Sequence, residues 1–161
     1  MDNFRKETYL KLLFLLCVAI LITAYSIQYV FGFQPCNLCI IERIPFMLAI
    51  IVLILNYKFK KNELFNSILL MMIFTFSFLI SVYHFGIEQG FIDESSVCGV
   101  NKADLTTKED ILKSLQKINV SCKDVTFKIF DLSLTTYNML ISIIMLLISL
   151  KIYLINYEIK K

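Results

Sequence analysis

The sequence predicts an all-α membrane protein, a four-transmembrane-helix bundle with two loops on the outer side, the second carrying a short amphipathic helix. Three observations predict it. Of 161 residues, 58% are hydrophobic, and the mean hydropathy of +0.72 is too high for a soluble domain of this length. The apolar residues fall in four blocks, 9–31, 41–57, 64–85 and 132–155, each near the roughly 20 helical residues that cross a hydrocarbon layer about 30 Å thick. Basic residues gather in alternate flanks of those blocks, as they do in multi-pass proteins. A strand reading fails, because the blocks show no alternation and an open sheet cannot satisfy its backbone in lipid. The whole chain, 1–161, reads as a single integral membrane domain.

The first block follows Arg5 and Lys6 in the manner of a signal peptide. It is too long for an apolar signal core and no small-residue cleavage site follows it, so it reads as a retained helix. The loop 32–40 carries no charge. The second block is the shortest and contains Pro45, which is tolerable in the first turns of a helix, where a missing N–H matters least. Lys58, Lys60 and Lys61 fill the next connection. The third block ends near Tyr83-His84.

The loop 86–131 is long enough to expect a function of it. Thr106-Thr107-Lys108-Glu109 fits a capping box, and Ile111, Leu112, Leu115 and Ile118 then share one helical face, which suits a helix resting on the membrane interface. Phe127, Ile129 and Phe130 return the chain to the interface before the last block.

Charge sets the orientation. Arg5, Lys6 and Lys11, the lysines at 58–61, and Lys151, Lys160 and Lys161 lie in three segments that four helices place on one side, and the positive-inside rule makes that side the cytoplasm. Both termini are therefore expected inside, and the loops 32–40 and 86–131 outside. The long loop has six Lys against eight Asp and Glu, and no concentrated basic patch points to nucleic acid.

Five cysteines are present. Cys17 lies among Leu15, Leu16 and Val18 and reads as a small core hydrophobe. The other four, Cys36, Cys39, Cys98 and Cys122, fall two in each outer loop, which reads first as two disulfides in an oxidising compartment. Both could be inert staples. A zinc site built from all four is the weaker alternative, since Cys98 and Cys122 are 24 residues apart with no neighbouring His. Against the staple stands the spacing of Cys36 and Cys39: so small a loop removes little chain entropy, whereas a C-x-x-C at a helix start suits redox exchange.

Arg43 lies one turn beyond Cys39 on the same helical face, where a cation stabilises a thiolate or the charge developing on an acceptor. The bland alternative is an arginine snorkelling to the interface with Glu42 as a surface partner. His84 has Glu88 at i+4 and stands at the outer end of a span, where it either serves an acceptor or proton path or anchors the helix by hydrogen bonds. The site thus joins outer thiols to something dissolved in the lipid, and a quinone is the membrane-soluble two-electron acceptor that fits.

With these residues in place, the sequence resembles the disulfide bond formation protein B (DsbB) family, the quinone-dependent thiol oxidases of bacterial envelopes. The resemblance rests on four spans, Pro35-Cys36-Asn37-Leu38-Cys39 followed by Glu42-Arg43, Tyr83-His84 with Glu88-Gln89-Gly90, a cysteine at each end of the long loop, and Asp131-Leu132-Ser133-Leu134 leading to Tyr137-Asn138. It implies that Cys98 forms the mixed disulfide with a periplasmic thioredoxin-fold oxidase (DsbA-like). It implies that Cys122 pairs with Cys98 and then attacks the Cys36–Cys39 bridge at Cys36. Cys39 would reduce the quinone, ubiquinone or menaquinone, with Arg43 beside its ring; His84 remains a candidate for the same site, and the likeness of the Tyr83-His84 segment does not decide between its two roles. The implied location is the bacterial inner membrane, with the active cysteines periplasmic and the protein monomeric. Where many relatives carry an aromatic residue just after the second cysteine, this chain has Ile40-Ile41.

Two other readings differ in class. The vitamin K epoxide reductase-like family also carries four redox cysteines on a helical bundle, but its loop cysteines precede the C-x-x-C, the reverse of the order here. A non-enzymatic scaffold or transport subunit with two structural disulfides leaves Arg43 and the helix-edge C-x-x-C without a role.

Overall fold

The computed structural model describes residues 2–59, 62–94, 98, 121–123, 128–129 and 132–160. It contains α1 (Asp2–Tyr29), α2 (Asn37–Ile41), α3 (Arg43–Lys58), α4 (Glu63–Glu88), a two-stranded hairpin of β1 (Lys128–Ile129) and β2 (Leu132–Ser133), and α5 (Leu134–Lys160). Four helical stretches are long and apolar enough to cross a membrane: Phe4–Tyr29, Asn37–Lys58, Glu63–Glu88 and Leu134–Ile159. The expected four-helix membrane bundle is therefore what the chain forms. The capping box at 106–109, the helical face at 111–118 and the side chains of Phe127, Ile129 and Phe130 lie outside the described residues.

The helices outrun the apolar blocks, because backbone hydrogen bonding does not stop where hydropathy does. α1 starts seven residues before the block at 9–31, and that extension lets Lys6 Nζ reach Glu63 Oε2 at 2.7 Å, tying α1 to the start of α4. α1 ends where Gly32 takes a positive φ of 76° and Phe31 N–H returns to Ser26 O. α4 ends in the same way. Gly90 has φ 76°, Phe91 N–H bonds Gly86 O at 2.9 Å, and Ile92 folds onto Gly86 so closely that a Cβ there would lie 2.7 Å from Ile92 Cδ1.

The second span is broken once. α2 stops at Ile41, four residues before Pro45, whose ring lacks the N–H to bond the Ile41 carbonyl and crowds it instead. Glu42 sits at the break.

The closest helix pair is α4 with α5. Ser67, Leu70, Phe74, Ser77, Ser81 and His84 recur at three- and four-residue spacing on α4 and are all buried. They face Thr135, Asn138, Ser142, Met145, Ser149, Ile152 and Asn156 on α5. Ser77 and Ser142 hydroxyls lie 2.9 Å apart, Asn138 Nδ2 donates to Ser81 Oγ at 2.8 Å, and Asn156 Nδ2 donates to Ser67 Oγ at 2.7 Å. Small residues let helices approach closely in lipid, and such interhelical bonds contribute about 0.6 kcal/mol each. The mid-bundle core joins Leu13 and Cys17 of α1 to Phe46 and Ala49 of α3 and to Leu70, Phe74 and Met145. Cys17 is thus a core residue, fully buried. Leu15, Ile51, Met72, Leu79 and Leu147 point outward, as lipid-facing positions should.

Candidate functional site

The second span begins on Cys36, which follows Pro35 and caps α2 from extended backbone (φ −69°, ψ 168°). Its Sγ accepts the Cys39 N–H at 3.2 Å, the role that a serine or aspartate oxygen plays at other helix starts. The dithiol therefore straddles the start of the span, Cys36 capping it from just outside and Cys39 in its first turn, rather than lying free in the loop 32–40 where the apolar pattern placed it. Cys36 Sγ and Cys39 Sγ are 2.7 Å apart, within reach of bonding on oxidation.

His84 comes to this pair from α4. Its Nε2 lies 3.5 Å from Cys36 Sγ, its Nδ1 lies 3.1 Å from Glu42 Oε1 and 3.4 Å from Thr135 Oγ1, and the imidazole is only 1% exposed. Thr135 in turn donates to Glu88 Oε1 at 2.8 Å, and Ser133 donates to Glu88 Oε2 at 2.6 Å. Cys36, His84 and Glu42 thus stand in series: thiol, imidazole, carboxylate. The Cys36 thiol, just outside the span, is drawn from 9.0 down to about 5. Its hydrogen bond with Cys39 is the main cause, and the His84 hydrogen bond and charge add to it against the opposing effect of burial.

Two pairings differ from those the sequence suggests. Glu42 is not a surface partner of Arg43; it is 7% exposed and turned toward His84. Glu88 is not the partner of His84 either, because its carboxylate is taken by the hydroxyls of Ser133 and Thr135. In both cases the bonds run between helices, which i, i+4 spacing along one helix does not anticipate.

Arg43 leans on α1. Its guanidinium donates to Gln28 Oε1 at 2.6 Å and lies 4.9 Å from the centroid of the Tyr25 ring. Below it, a cavity of about 350 Å³ opens between α1, the second span and α5. Leu16, Ala19, Ile20, Ala24, Ile27, Phe46, Leu134 and Ile141 supply apolar wall, while Cys39, Glu42, Arg43, Thr135 and Asn138 supply polar groups. Cys39 and Arg43 share this wall; His84 does not line the cavity and stands against Cys36 instead.

Cys98 and Cys122 form a disulfide with Cα atoms 5.4 Å apart. It is buried in one cluster with Cys36, Leu38 and Ile87, packed against Cys39 and Tyr83, so both cysteine pairs occupy the same end of the bundle. Beside Cys122, Glu94 accepts from Ser121 Oγ and from Lys123 N–H, bonds that lower its carboxyl below the ordinary carboxylate value.

Glu42, Thr135, Gln28 and Tyr25 were not legible as site residues. Glu42 had one available signal, since it falls three residues after Cys39 on the face that also carries Arg43. Gln28 had another, as a polar side chain near the outer end of an apolar run.

Comparison with known proteins places these features in a lineage. A family model described as "Disulfide bond formation protein DsbB" matches residues 6–152. The chain is 28% identical over 156 residues to "Uncharacterized protein RP370" of Rickettsia prowazekii (strain Madrid E), covering 89% of this chain and 88% of that one. No solved structure matches.

Proposed function

The chain belongs to the DsbB family of disulfide bond formation proteins, and from that premise we propose that it is a quinone-dependent thiol oxidase of the bacterial inner membrane, reoxidising a periplasmic DsbA-like protein. The observation that carries the proposal is the division of labour between the two cysteines. Cys39 lines the cavity with Arg43 and Cys36 does not; Cys36 is buried in the cluster that holds Cys98–Cys122, with Cys39 packed at its edge.

Thiol exchange accounts for the first half of the reaction. A reduced partner attacks Cys98, releasing Cys122, and its second thiol displaces Cys98 to leave the partner oxidised. Cys122 attacks Cys36 Sγ of the Cys36–Cys39 bridge and expels Cys39 as thiolate. Cys98 then attacks Cys122, restoring the long-loop disulfide and leaving Cys36 and Cys39 reduced. Two electrons and two protons have moved inward, and no atom is unaccounted for.

The cavity fits a quinone: its volume suits a substituted ring, its walls are apolar, and its cationic and thiol groups lie together at one end. A quinone supplies there a two-electron, two-proton acceptor. Arg43, held by Gln28 and Tyr25, would offer positive charge and N–H donors to a quinone oxygen bound there. Cys39 presents its sulfur at the same wall. His84 Nε2 takes the proton of Cys36 while Glu42 holds Nδ1–H, and the freed Cys36 thiolate is poised to re-form its bond with Cys39. Leu16, Ile20 and Phe46 give the cavity apolar wall. Both termini are assigned to the cytoplasm and both cysteine pairs to the periplasm, following the basic flanks.

The test is an anaerobic assay of the purified protein with a reduced DsbA-like substrate and ubiquinone or menaquinone analogues, following quinone absorbance, with Cys39→Ser and Cys98→Ser in parallel. Turnover that needs both cysteines is the expected result. A folded wild type that reduces neither analogue overturns the reading.

A further inference from the structure

We propose that Cys36, Cys39 and His84, once the two thiols are reduced, form a binding site for one thiophilic divalent cation of the zinc class, which holds the dithiol reduced. The sequence weighs against zinc across the four outer cysteines; this site is a different set, using one cysteine pair and the imidazole from α4. The two sulfurs and the ring nitrogen lie within 4.8 Å of one another. The 3.5 Å from Cys36 Sγ to His84 Nε2 already matches the edge of a tetrahedron built on Zn–S of about 2.3 Å and Zn–N of about 2.0 Å, which is about 3.5 Å. The sulfur pair, now 2.7 Å apart, opens to about 3.8 Å in the same geometry, a shift of roughly 1 Å that the half-buried Cys39 side chain can make.

Glu42 supplies the second, independent indication. Its Oε1 lies 3.1 Å from Nδ1 of His84, the carboxylate that stands behind metal-binding imidazoles, fixing the tautomer so that Nε2 presents its lone pair. Thr135 Oγ1, 3.4 Å from the same nitrogen, adds to that orientation. Two thiolates and an imidazole select zinc over calcium or magnesium, and three protein ligands leave a fourth position for water.

Binding is a proton exchange without redox change. The ion forms bonds to both sulfurs and to Nε2, and the two thiols release up to two protons. The oxidised bridge has no thiolate to offer, so the site exists only in the reduced protein. An ion seated there blocks Cys39 from any acceptor and blocks return of the Cys36–Cys39 bond. None of this requires that the acceptor be a quinone.

The experiment uses the full-length chain in detergent with Cys98→Ser and Cys122→Ser, reduced with a phosphine and titrated anaerobically with Co2+. One equivalent should produce a thiolate-to-cobalt charge-transfer band with the visible bands of a tetrahedral ion, displaced by Zn2+ and absent from the oxidised chain. Cys39→Ser should abolish the band, and His84→Ala and Glu42→Gln should each weaken affinity by about 10- to 100-fold, with helicity matched to the parent by circular dichroism. On the unaltered reduced chain, Zn2+ should slow maleimide labelling of the Cys36–Cys39 peptide at least tenfold, read by mass spectrometry. No cobalt band in the reduced chain, an equal band in the oxidised chain or in Cys39→Ser, or labelling unchanged by Zn2+ overturns the site. These readouts need no turnover, so their failure leaves the thiol oxidase reading standing, and a failed quinone assay leaves this site standing.

Discussion

His84 on α4 and Glu42 at the break of the second span face each other across the bundle, Nδ1 to Oε1, at 3.1 Å. The opposite ring nitrogen faces Cys36 Sγ at 3.5 Å. A carboxylate, an imidazole and a thiol in that order make an activated nucleophile on general chemical grounds.

The first prediction concerns that thiol. Cys36 is held at about 5 against an ordinary 9.0. A depressed pKa contributes stability to the folded, reduced protein that is fully present above 9 and is lost as pH falls through 5. Reduced wild type should therefore gain stability over reduced Cys36→Ser as pH rises across that window, by up to about 1.4 kcal/mol per pH unit. Removing the imidazole with His84→Ala should raise the thiolate midpoint by about one to two units, read by thiolate absorbance or by pH-dependent alkylation of Cys36. A midpoint near 9 in the wild type would remove the proposed activation.

The bundle was legible in the sequence because hydropathy is a property of single residues summed over a window, and four windows stood out. The helix ends were less so, since α1 continues through charged residues back to Asp2 and uses Lys6 for a tertiary contact. At the site, spacing placed Arg43 one turn from Cys39, and the structure sets both on one cavity wall. What spacing could not supply was the partner of each charge. Glu42 and His84 are 42 residues apart, and Arg43 and Gln28 are 15 apart. Contacts between helices depend on rotation about each helix axis, which hydropathy summed over a window leaves open.

The second prediction separates binding from exchange. Arg43 lines the cavity, whereas the long-loop cysteines are buried in the cluster around Cys36. Arg43→Gln should raise KM for the quinone analogue tenfold or more, a loss of about 1.4 kcal/mol or above. The rate at which a reduced partner opens Cys98–Cys122 should stay within twofold. Gln28→Ala should follow in the same direction with a smaller effect, because it frees the guanidinium without removing it. Stopped-flow measurement of the two half-reactions checks both, and equal slowing of the two would show that Arg43 supports the fold rather than the cavity.

The third prediction lies at the opposite end of the bundle. Lys6 is buried and Glu63, its partner at 2.7 Å, is more open to solvent. Removing the carboxylate leaves a buried ammonium, whereas removing the ammonium leaves a carboxylate that water can reach. Glu63→Ala should therefore destabilise more than Lys6→Met, by about 1–2 kcal/mol, in denaturation monitored by circular dichroism in mild detergent. Equal effects would mean that Lys6 escapes to the interface.

The last prediction links the helix break to the chemistry. Pro45 denies Ile41 its carbonyl partner, and the chain resets at Glu42, the residue that turns inward to His84. Pro45→Ala supplies the missing N–H, lets α2 and α3 merge, and removes a defect that in a helix interior costs about 3 kcal/mol. The variant should be as stable as wild type or more so. Merging the two helices also rotates Cys39 and Glu42 relative to Arg43, so that carboxylate, imidazole and thiol no longer line up. Oxidase turnover should fall at least tenfold while the melting temperature holds or rises, and the Cys36 thiolate midpoint should climb toward its ordinary value. If activity and midpoint both match wild type, the break is a tolerated flaw of the span and the alignment of Glu42 has another source.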